Sequence, residues 1–274
     1  MSSPLDSIKS ALREPYTMQD GRVVALSGEQ KVEVTEEMES GINVVKTYLK
    51  RWSGFYEFLR AFFSPGLSMV PHLTPGKAVT KAFGRENILG KHLVNIGSGT
   101  KFIHKDMVNV DIYPYENVHI VADGAHLPFH NESIDFIVCE SVLEHVREPF
   151  KVIEEIKRVL RPGGYAYISV PFLYPFHASP NDFTRFSRNA LRNEFAPYKI
   201  VDEGLRAGPF AALQGVLMHL CALPFSILGE GVYLTMANIF MVIFTPLKFL
   251  DILFWKSSFA HEIAADIYIF VRKE

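Results

Sequence analysis

Residues 93–100 read LVNIGSGT. With Lys91 and His92 ahead of it, the run KHLVNI has the length and apolar content of a buried strand. It stops at two glycines separated by one serine. At Gly97 and Gly99 a side chain would obstruct a ligand lying across the strand end, and glycine also reaches the dihedrals of a tight turn. A single G-x-G is weak evidence for a nucleotide site, so the weight falls on its surroundings.

Those surroundings repeat the pattern. MVNVDI (107–112), NVHIVAD (117–123), SIDFIVCE (133–140) and GYAYISV (164–170) each read as a further strand. Between the last two lies PFKVIEEIKRVLRPGG (149–164). Pro149 suits a first helical turn, and Val152, Ile153, Ile156, Val159 and Leu160 recur at spacings of three and four, giving one apolar stripe. Lys157, Arg158 and Arg161 crowd the last turn, where cations complement the helix dipole, and Pro162-Gly163-Gly164 ends it. Strand, helix and strand in that order predict a right-handed parallel crossover. The class is α/β, and ligands are expected outside the carboxyl ends of the strands.

Two carboxylates sit at such ends. Asp111 closes the second strand, where it can accept both hydroxyl protons of a ribose. Asp123 closes the third, followed by Gly124 and Ala125; its carboxylate can accept from an adenine amino group while the next N–H meets a ring nitrogen. Either residue alone can equally cap a turn. A dinucleotide site wants a third glycine and a helix facing the pyrophosphate. Here the turn continues TKFIHKD (100–106), and the spacer before the second strand is too short for a crossover helix. A ligand without phosphates fits better.

In this order the motifs resemble those of the class I S-adenosylmethionine-dependent methyltransferases, over about residues 91–206. VNIGSGT, with Asn95, Gly97, Ser98 and Gly99, resembles the glycine motif under the methionine part of the cofactor. NVDIYP resembles the ribose motif, with Asp111 as its acid and Ile112 beside it. VADGAHLPF resembles the adenine motif of Asp123, Gly124 and Ala125. IDFIVCESVLEHV resembles the fourth-strand motif, whose Glu140 and Ser141 border the methionine end. EIKRVLRPGGYAYISVPF resembles the helix and strand that follow. The resemblance implies a Rossmann-like sheet of seven strands with the last antiparallel, for which AADIYIFVRK (264–273) is suited. The short link between Gly99 and Asp111 is similar to that of a glycan- and lipid-modifying, type 11-like group.

Methyl transfer from a sulfonium is an in-line displacement; the enzyme aligns the acceptor, and an oxygen acceptor usually needs a base. VPFLYPFHASPNDFTRFS (170–187), after the fifth strand, concentrates His177, Asp182 and Arg185. His177 is the readiest base, Asp182 can orient it or bind a hydroxyl, and Arg185 can fork onto an acidic group of the acceptor. A loop stapled by an Asp–Arg pair, with histidine as packing, is the other reading. His145, in LEHV, is a second base candidate or a structural hydrogen-bonding residue.

The remainder divides into an N-terminal extension (1–90), expected to be helical or irregular, an insert (207–260) and a last strand (261–274). YLKRWSGFYEFLRAFF (48–63) reads as a helix. YTMQDGRVVAL (16–26) loosely resembles a zinc-ribbon segment but carries no cysteine, so no metal is expected. The insert contains AGPFAALQGVLMHLCALPFSILG and GVYLTMANIFMVIFTPL, separated by Glu230. Each is of roughly membrane-spanning length and uncharged. Strands on both sides belong to one sheet, so the insert must leave a bilayer on the side it entered. A hairpin or a shallow re-entrant anchor is possible; an apolar lid or a dimer interface is the alternative. Arg206, Lys248 and Lys256 flank its base, as on a cytoplasmic face.

The net charge of −2 gives no global basic field, so nucleic acid is not an expected partner. Two cysteines, Cys139 and Cys221, in apolar surroundings suit a reduced compartment, and the first twenty residues lack the apolar core of a secretory signal. The expectation is a cytoplasmic, peripheral or monotopic methyltransferase. Its acceptor would be a small molecule, a saccharide or a lipid-linked compound, with oxygen the first choice of reacting atom and nitrogen the next; the oligomeric state is left open. Methylation of a prenylated quinone precursor and a non-catalytic, membrane-associated nucleotide-binding module are the alternatives.

Overall fold

The computed structural model describes residues 4–13, 15–26, 62–66, 70–84, 88, 90–177 and 181–274. Among these residues nine strands form one sheet: β1 (Thr17–Gln19), β2 (Arg22–Val24), β3 (Leu93–Ile96), β4 (Met107–Asp111), β5 (Ile120–Val121), β6 (Ile134–Glu140), β7 (Leu160–Pro171), β8 (Lys199–Ala207) and β9 (Asp266–Arg272). Their order across the sheet is β1-β2-β5-β4-β3-β6-β7-β9-β8. The strands from β5 to β7 pair in parallel, and β9 is antiparallel to both β7 and β8. The chain runs outward from β3 to β5, then returns to β6 on the other side. The crevice at that reversal is where such sheets bind ligands.

The helices are α1 (Pro4–Ile8), α2 (Pro75–Phe83), α3 (Pro149–Val159), α4 (Arg188–Glu194), α5 (Pro209–Ala222), α6 (Glu230–Phe244) and α7 (Asp251–Phe254). Every residue of β3 and β4 is buried, as parallel strands covered on both faces require. Val152, Ile153, Ile156 and Val159 of α3 are buried in the main core as the predicted stripe, while Leu160, read as its last member, is buried there as the first residue of β7. Arg158 at its last turn donates to the carbonyl oxygens of Leu127 and Phe129 at 3.0 and 2.8 Å, which ties the helix to the segment after β5.

The α/β class is as expected, but the sheet has nine strands where seven were expected. The two additional strands, β1 and β2, come from the extension read as helical or irregular. They form a hairpin whose β2 pairs with β5. Asp20 and Gly21 both adopt positive φ, 48° and 77°, as a tight hairpin turn demands. All but the last two residues of the predicted 48–63 helix lie outside the described residues.

The insert is a helical hairpin of α5 and α6, with short 3-10 turns at Leu223–Leu228 and Thr245–Leu250. Across it, His219 Nδ1 lies 2.8 Å from the Tyr233 hydroxyl. Its base is closed by Asp251, whose two oxygens accept from the N–H groups of Phe210 (2.8 Å) and Ala211 (3.1 Å) at the start of α5. Where the insert leaves and rejoins the sheet, Ala265 N–H donates to the Gly208 carbonyl at 3.2 Å. Two of the three cations expected to flank the base turn inward. Lys248 is buried and donates to the carbonyls of Phe62 and Ser64, while Arg206 joins the ion-pair network at the sheet edge.

Candidate active site

β3 ends where the chain turns through Gly97 and Gly99, both at positive φ (61° and 52°). The two glycines answer to different neighbours. A β-carbon on Gly97 would collide with the side chain of Val142, which follows β6; one on Gly99 would meet nothing within 4 Å. The first glycine therefore permits the close approach of the β6 loop, and the second leaves open space at the strand tip.

Asp111 organises that tip. Its Oδ2 accepts from Gly99 N–H at 2.7 Å and its Oδ1 from Tyr113 N–H at 2.9 Å. Burial pushes its carboxyl upward, an effect offset by the N–H groups of Tyr113, Gly99 and Ile112. The turn-capping reading is thus real. The carboxylate, with four lone-pair sites for three N–H groups, still keeps acceptor capacity for a ribose hydroxyl. Asp123 behaves alike: Oδ1 accepts from Ala125 N–H at 2.9 Å, and Oδ2 faces His126 Nδ1 at 3.5 Å. Gly124 packs against Ile96 and Val152, where a β-carbon would lie 3.4 and 3.5 Å from their methyl groups.

Ser98 is buried at the turn, its N–H on the Val110 carbonyl. Asn95 stands apart from the strand-tip group. Its side chain is buried within β3 and donates to Asn109 Oδ1 of β4 at 3.3 Å, so it stitches two strands together. The tips of β3, β4 and β5 otherwise bring the sequence-derived cofactor residues together. Their geometry fits an adenosine: open space at the Gly99 turn lies beside two acceptor carboxylates.

At the tip of β6, Glu140 pairs with Arg206, which also holds Asp266 at 2.6 Å. Lys101 Nζ lies 3.5 Å from Glu140. Burial opposes the charge on Glu140, but Arg206 and Lys101 prevail and hold it below the usual carboxylate range. Asp266, fully enclosed, is pushed up to about 6 by burial despite the same arginine. Ser141 then takes a positive φ of 56°, a strained conformation for serine, and its N–H donates to the Ser169 carbonyl of β7 at 3.0 Å. This turn swings the following loop over Gly97.

That loop carries Glu144 and His145, and the segment after β7 meets it. Phe183 N–H donates to the Glu144 carbonyl at 2.6 Å, and His145 Nδ1 lies 2.5 Å from the Asn181 carbonyl. Asp182 Oδ2 accepts from His177 N–H at 2.9 Å and lies 3.6 Å from His177 Nδ1. Arg185 grips both oxygens of Asp182 and reaches the carbonyls of Tyr174 and Pro175 at 3.4 and 3.5 Å. The stapled-loop reading describes this pair, and the staple positions His177. The rings of His145 and His177 meet edge to face, 4.9 Å between centroids. All four acceptor-side residues read from the sequence are therefore in one place.

The sequence reading missed Glu144. Its side chain is 1% exposed, and neither carboxylate oxygen has a hydrogen-bond partner among the described residues. Burial pushes its carboxyl up to about 8. The available signal was its place beside His145 in LEHV, directly after the strained end of β6.

Residues 94–168 match the family model described as a methyltransferase domain. The chain is 26% identical over 154 residues to the uncharacterized protein MJ1123 of Methanocaldococcus jannaschii, covering 54% of this chain and 73% of that protein. It is 38% identical over 66 residues to an uncharacterized methyltransferase of Mycolicibacterium vanbaalenii, covering 24% of this chain and 26% of that protein. A solved structure described as an S-adenosylmethionine-dependent methyltransferase, possible histamine N-methyltransferase, of Thermotoga maritima aligns with a TM-score of 0.45 at 17% identity. That alignment covers 82% of this chain and 98% of that one. The strand order, the glycine turn with its two acids and the family match over residues 94–168 converge, and the chain carries a class I S-adenosylmethionine-dependent methyltransferase domain.

Proposed function

We propose that this protein methylates an oxygen of a lipid-linked or saccharide acceptor at a membrane surface. The observation that carries the reading is the packing of the acceptor loop on the apolar hairpin. A β-carbon on Gly215 of α5 would lie 2.9 Å from Pro175, and Tyr174 packs against Ala207, Ala211, Ala212 and Ala265. His177 follows two residues after Pro175. The element suited to a bilayer and the group suited to an acceptor are thus one packed unit.

The hairpin supports attachment because its apolar surface faces outward. Its two helical segments, Pro209–Leu228 and Glu230–Phe254, are long and apolar enough for a membrane, yet under a third of each is buried. Ile227 at the tip is 88% exposed and Leu253 71%. A soluble core helix would bury such side chains, and exposed apolar patches of this extent mark interaction surfaces. The two segments leave and rejoin the same sheet, so the arrangement suits a monotopic anchor.

The bound cofactor supplies a methyl group made electrophilic by its sulfonium. The chain's part is to hold the acceptor in line and to polarise its hydroxyl. His145 and His177 supply the nitrogens for that task, with Asp182 and Arg185 fixing the loop. Transfer of radiolabelled methyl groups from S-adenosylmethionine into a membrane-lipid and glycolipid extract tests the reading. Label in an organic-phase or saccharide product that disappears with Asp111→Ala supports it. Label confined to protein or nucleic acid refutes it.

A further inference from the structure

We propose that Glu144, His145 and His177 form a binding site for one divalent first-row transition-metal ion of the zinc, manganese or ferrous class. The inference deepens the acceptor-site reading above and rests on it for the ion's role, which is to hold and polarise the acceptor's oxygen.

Three ligand atoms converge. Glu144 Oε1 lies 3.6 Å from His145 Nε2 and 3.9 Å from His177 Nε2, and the set lies within 4.8 Å throughout. A cation with bonds of about 2.1 Å holds neighbouring ligand atoms about 3.0–3.4 Å apart, so a modest contraction closes the site. Two imidazoles and one carboxylate on one side of an ion, with the remaining positions open, is a ligand set for zinc or ferrous iron; magnesium and calcium favour oxygen donors.

Each histidine is turned the right way. The Asn181 carbonyl can only accept, so His145 Nδ1 carries the proton and Nε2 presents its lone pair toward Glu144. His177 Nδ1 lies 3.6 Å from the Asp182 carboxylate, just beyond hydrogen-bond reach, and its Nε2 is on the Glu144 side at 3.9 Å. An oxygen behind the outer nitrogen is how metal-ligating imidazoles are oriented. Glu144 supplies the independent observation. A carboxylate buried with both oxygens unpartnered among the described residues is costly, and an ion between it and the two imidazoles would satisfy it. The Arg185–Asp182 staple holds the His177 side of the site, and the Phe183 bond to the Glu144 carbonyl holds the two loops together.

The test uses the purified full chain in detergent, stripped with a chelator and dialysed against zinc, cobalt(II) or magnesium. Elemental analysis is expected to find about one zinc per chain and no retained magnesium. Cobalt(II) is expected to give visible d–d absorption. His177→Gln and Glu144→Gln are each expected to lower zinc affinity by about a hundredfold or more. S-adenosylhomocysteine titration and circular dichroism on the same samples show that the variants are folded. Stripped protein that binds S-adenosylhomocysteine but neither zinc nor cobalt overturns the metal site and leaves the methyltransferase reading standing. Binding that survives both substitutions also overturns it. Stoichiometric zinc lost in both variants supports the site, even where label transfer to lipid or saccharide fails and the acceptor reading falls.

Discussion

Val142 lies so close to Gly97 that a β-carbon at position 97 would overlap its side chain, whereas Gly99, two residues on, faces open space. Both glycines adopt left-handed φ, so alanine at either costs about 1–2 kcal/mol in the backbone. Only Gly97→Ala must also displace a β-branched side chain from the loop that carries Glu144 and His145. Gly97→Ala is expected to lower the melting temperature more than Gly99→Ala. Gly99→Ala is expected to remain folded and to weaken S-adenosylhomocysteine binding. Differential scanning fluorimetry with calorimetry separates the two effects, and equal melting points would refute the packing argument.

Asp111 joins the glycine turn to the tip of β4 and keeps acceptor capacity beside its backbone bonds. Asp111→Ala is expected to weaken S-adenosylhomocysteine binding by about 1.5–3 kcal/mol through loss of charge-assisted hydrogen bonds. Isothermal titration calorimetry reads this directly. Unchanged affinity would remove Asp111 as the ribose acid.

Arg206 is the cation shared by Glu140 and Asp266. Arg206→Met takes the shared cation from the buried Asp266 and from the part-buried Glu140, which keeps only Lys101, and is expected to cost about 3–5 kcal/mol of stability. Adding Asp266→Asn is expected to recover part of that loss, since one of the stranded charges is gone. Denaturant unfolding of the single and double variants checks both statements. A double variant less stable than the single one would show that Arg206 acts through packing.

Asp251 replaces a missing cap. Gly208 precedes α5 and has no side chain to meet the first N–H groups, which the distant carboxylate accepts instead. Asp251→Ala is expected to destabilise the hairpin by about 1–2 kcal/mol. Faster proteolysis within residues 209–254, with the sheet still protected, is the expected readout.

At the hairpin tip, Ile227→Asp and Leu228→Asp each remove an exposed apolar side chain. Each is expected to reduce recovery on anionic vesicles by about tenfold or more, from the area withdrawn from the bilayer. S-adenosylhomocysteine affinity is expected to stay unchanged. Full vesicle binding by the double variant would refute a tip-first anchor.

The parallel core was legible because its strands are apolar runs closed by glycine or aspartate, and because the α3 stripe is regular. The β1–β2 hairpin was legible too, in principle. Asp20-Gly21 between short runs is a turn signal, and it was overlooked because those three-residue strands carry little apolar alternation. Asn95 shows the opposite error: adjacency to a motif suggested a ligand contact, while its side chain belongs to Asn109. Glu144 was not legible, because an acid in a sequence gives no sign of whether it will be sealed off. Its meaning arises from two loops 33 residues apart in order, roughly 110 Å of extended chain, that only tertiary structure brings together. The inward turn of Lys248 was hidden for the same reason, since its partners are the carbonyls of Phe62 and Ser64.

The bond between Ala265 N–H and the Gly208 carbonyl marks the chain departing from the sheet and rejoining it at one point. The apolar hairpin is therefore a cassette spliced between two antiparallel neighbours. A short turn could bridge that gap without shifting the register of β8 against β9, because closing a smaller loop costs less entropy than closing a long one. On the anchor reading proposed above, exchanging that single contiguous segment would alter attachment while leaving the strand order of the sheet in place.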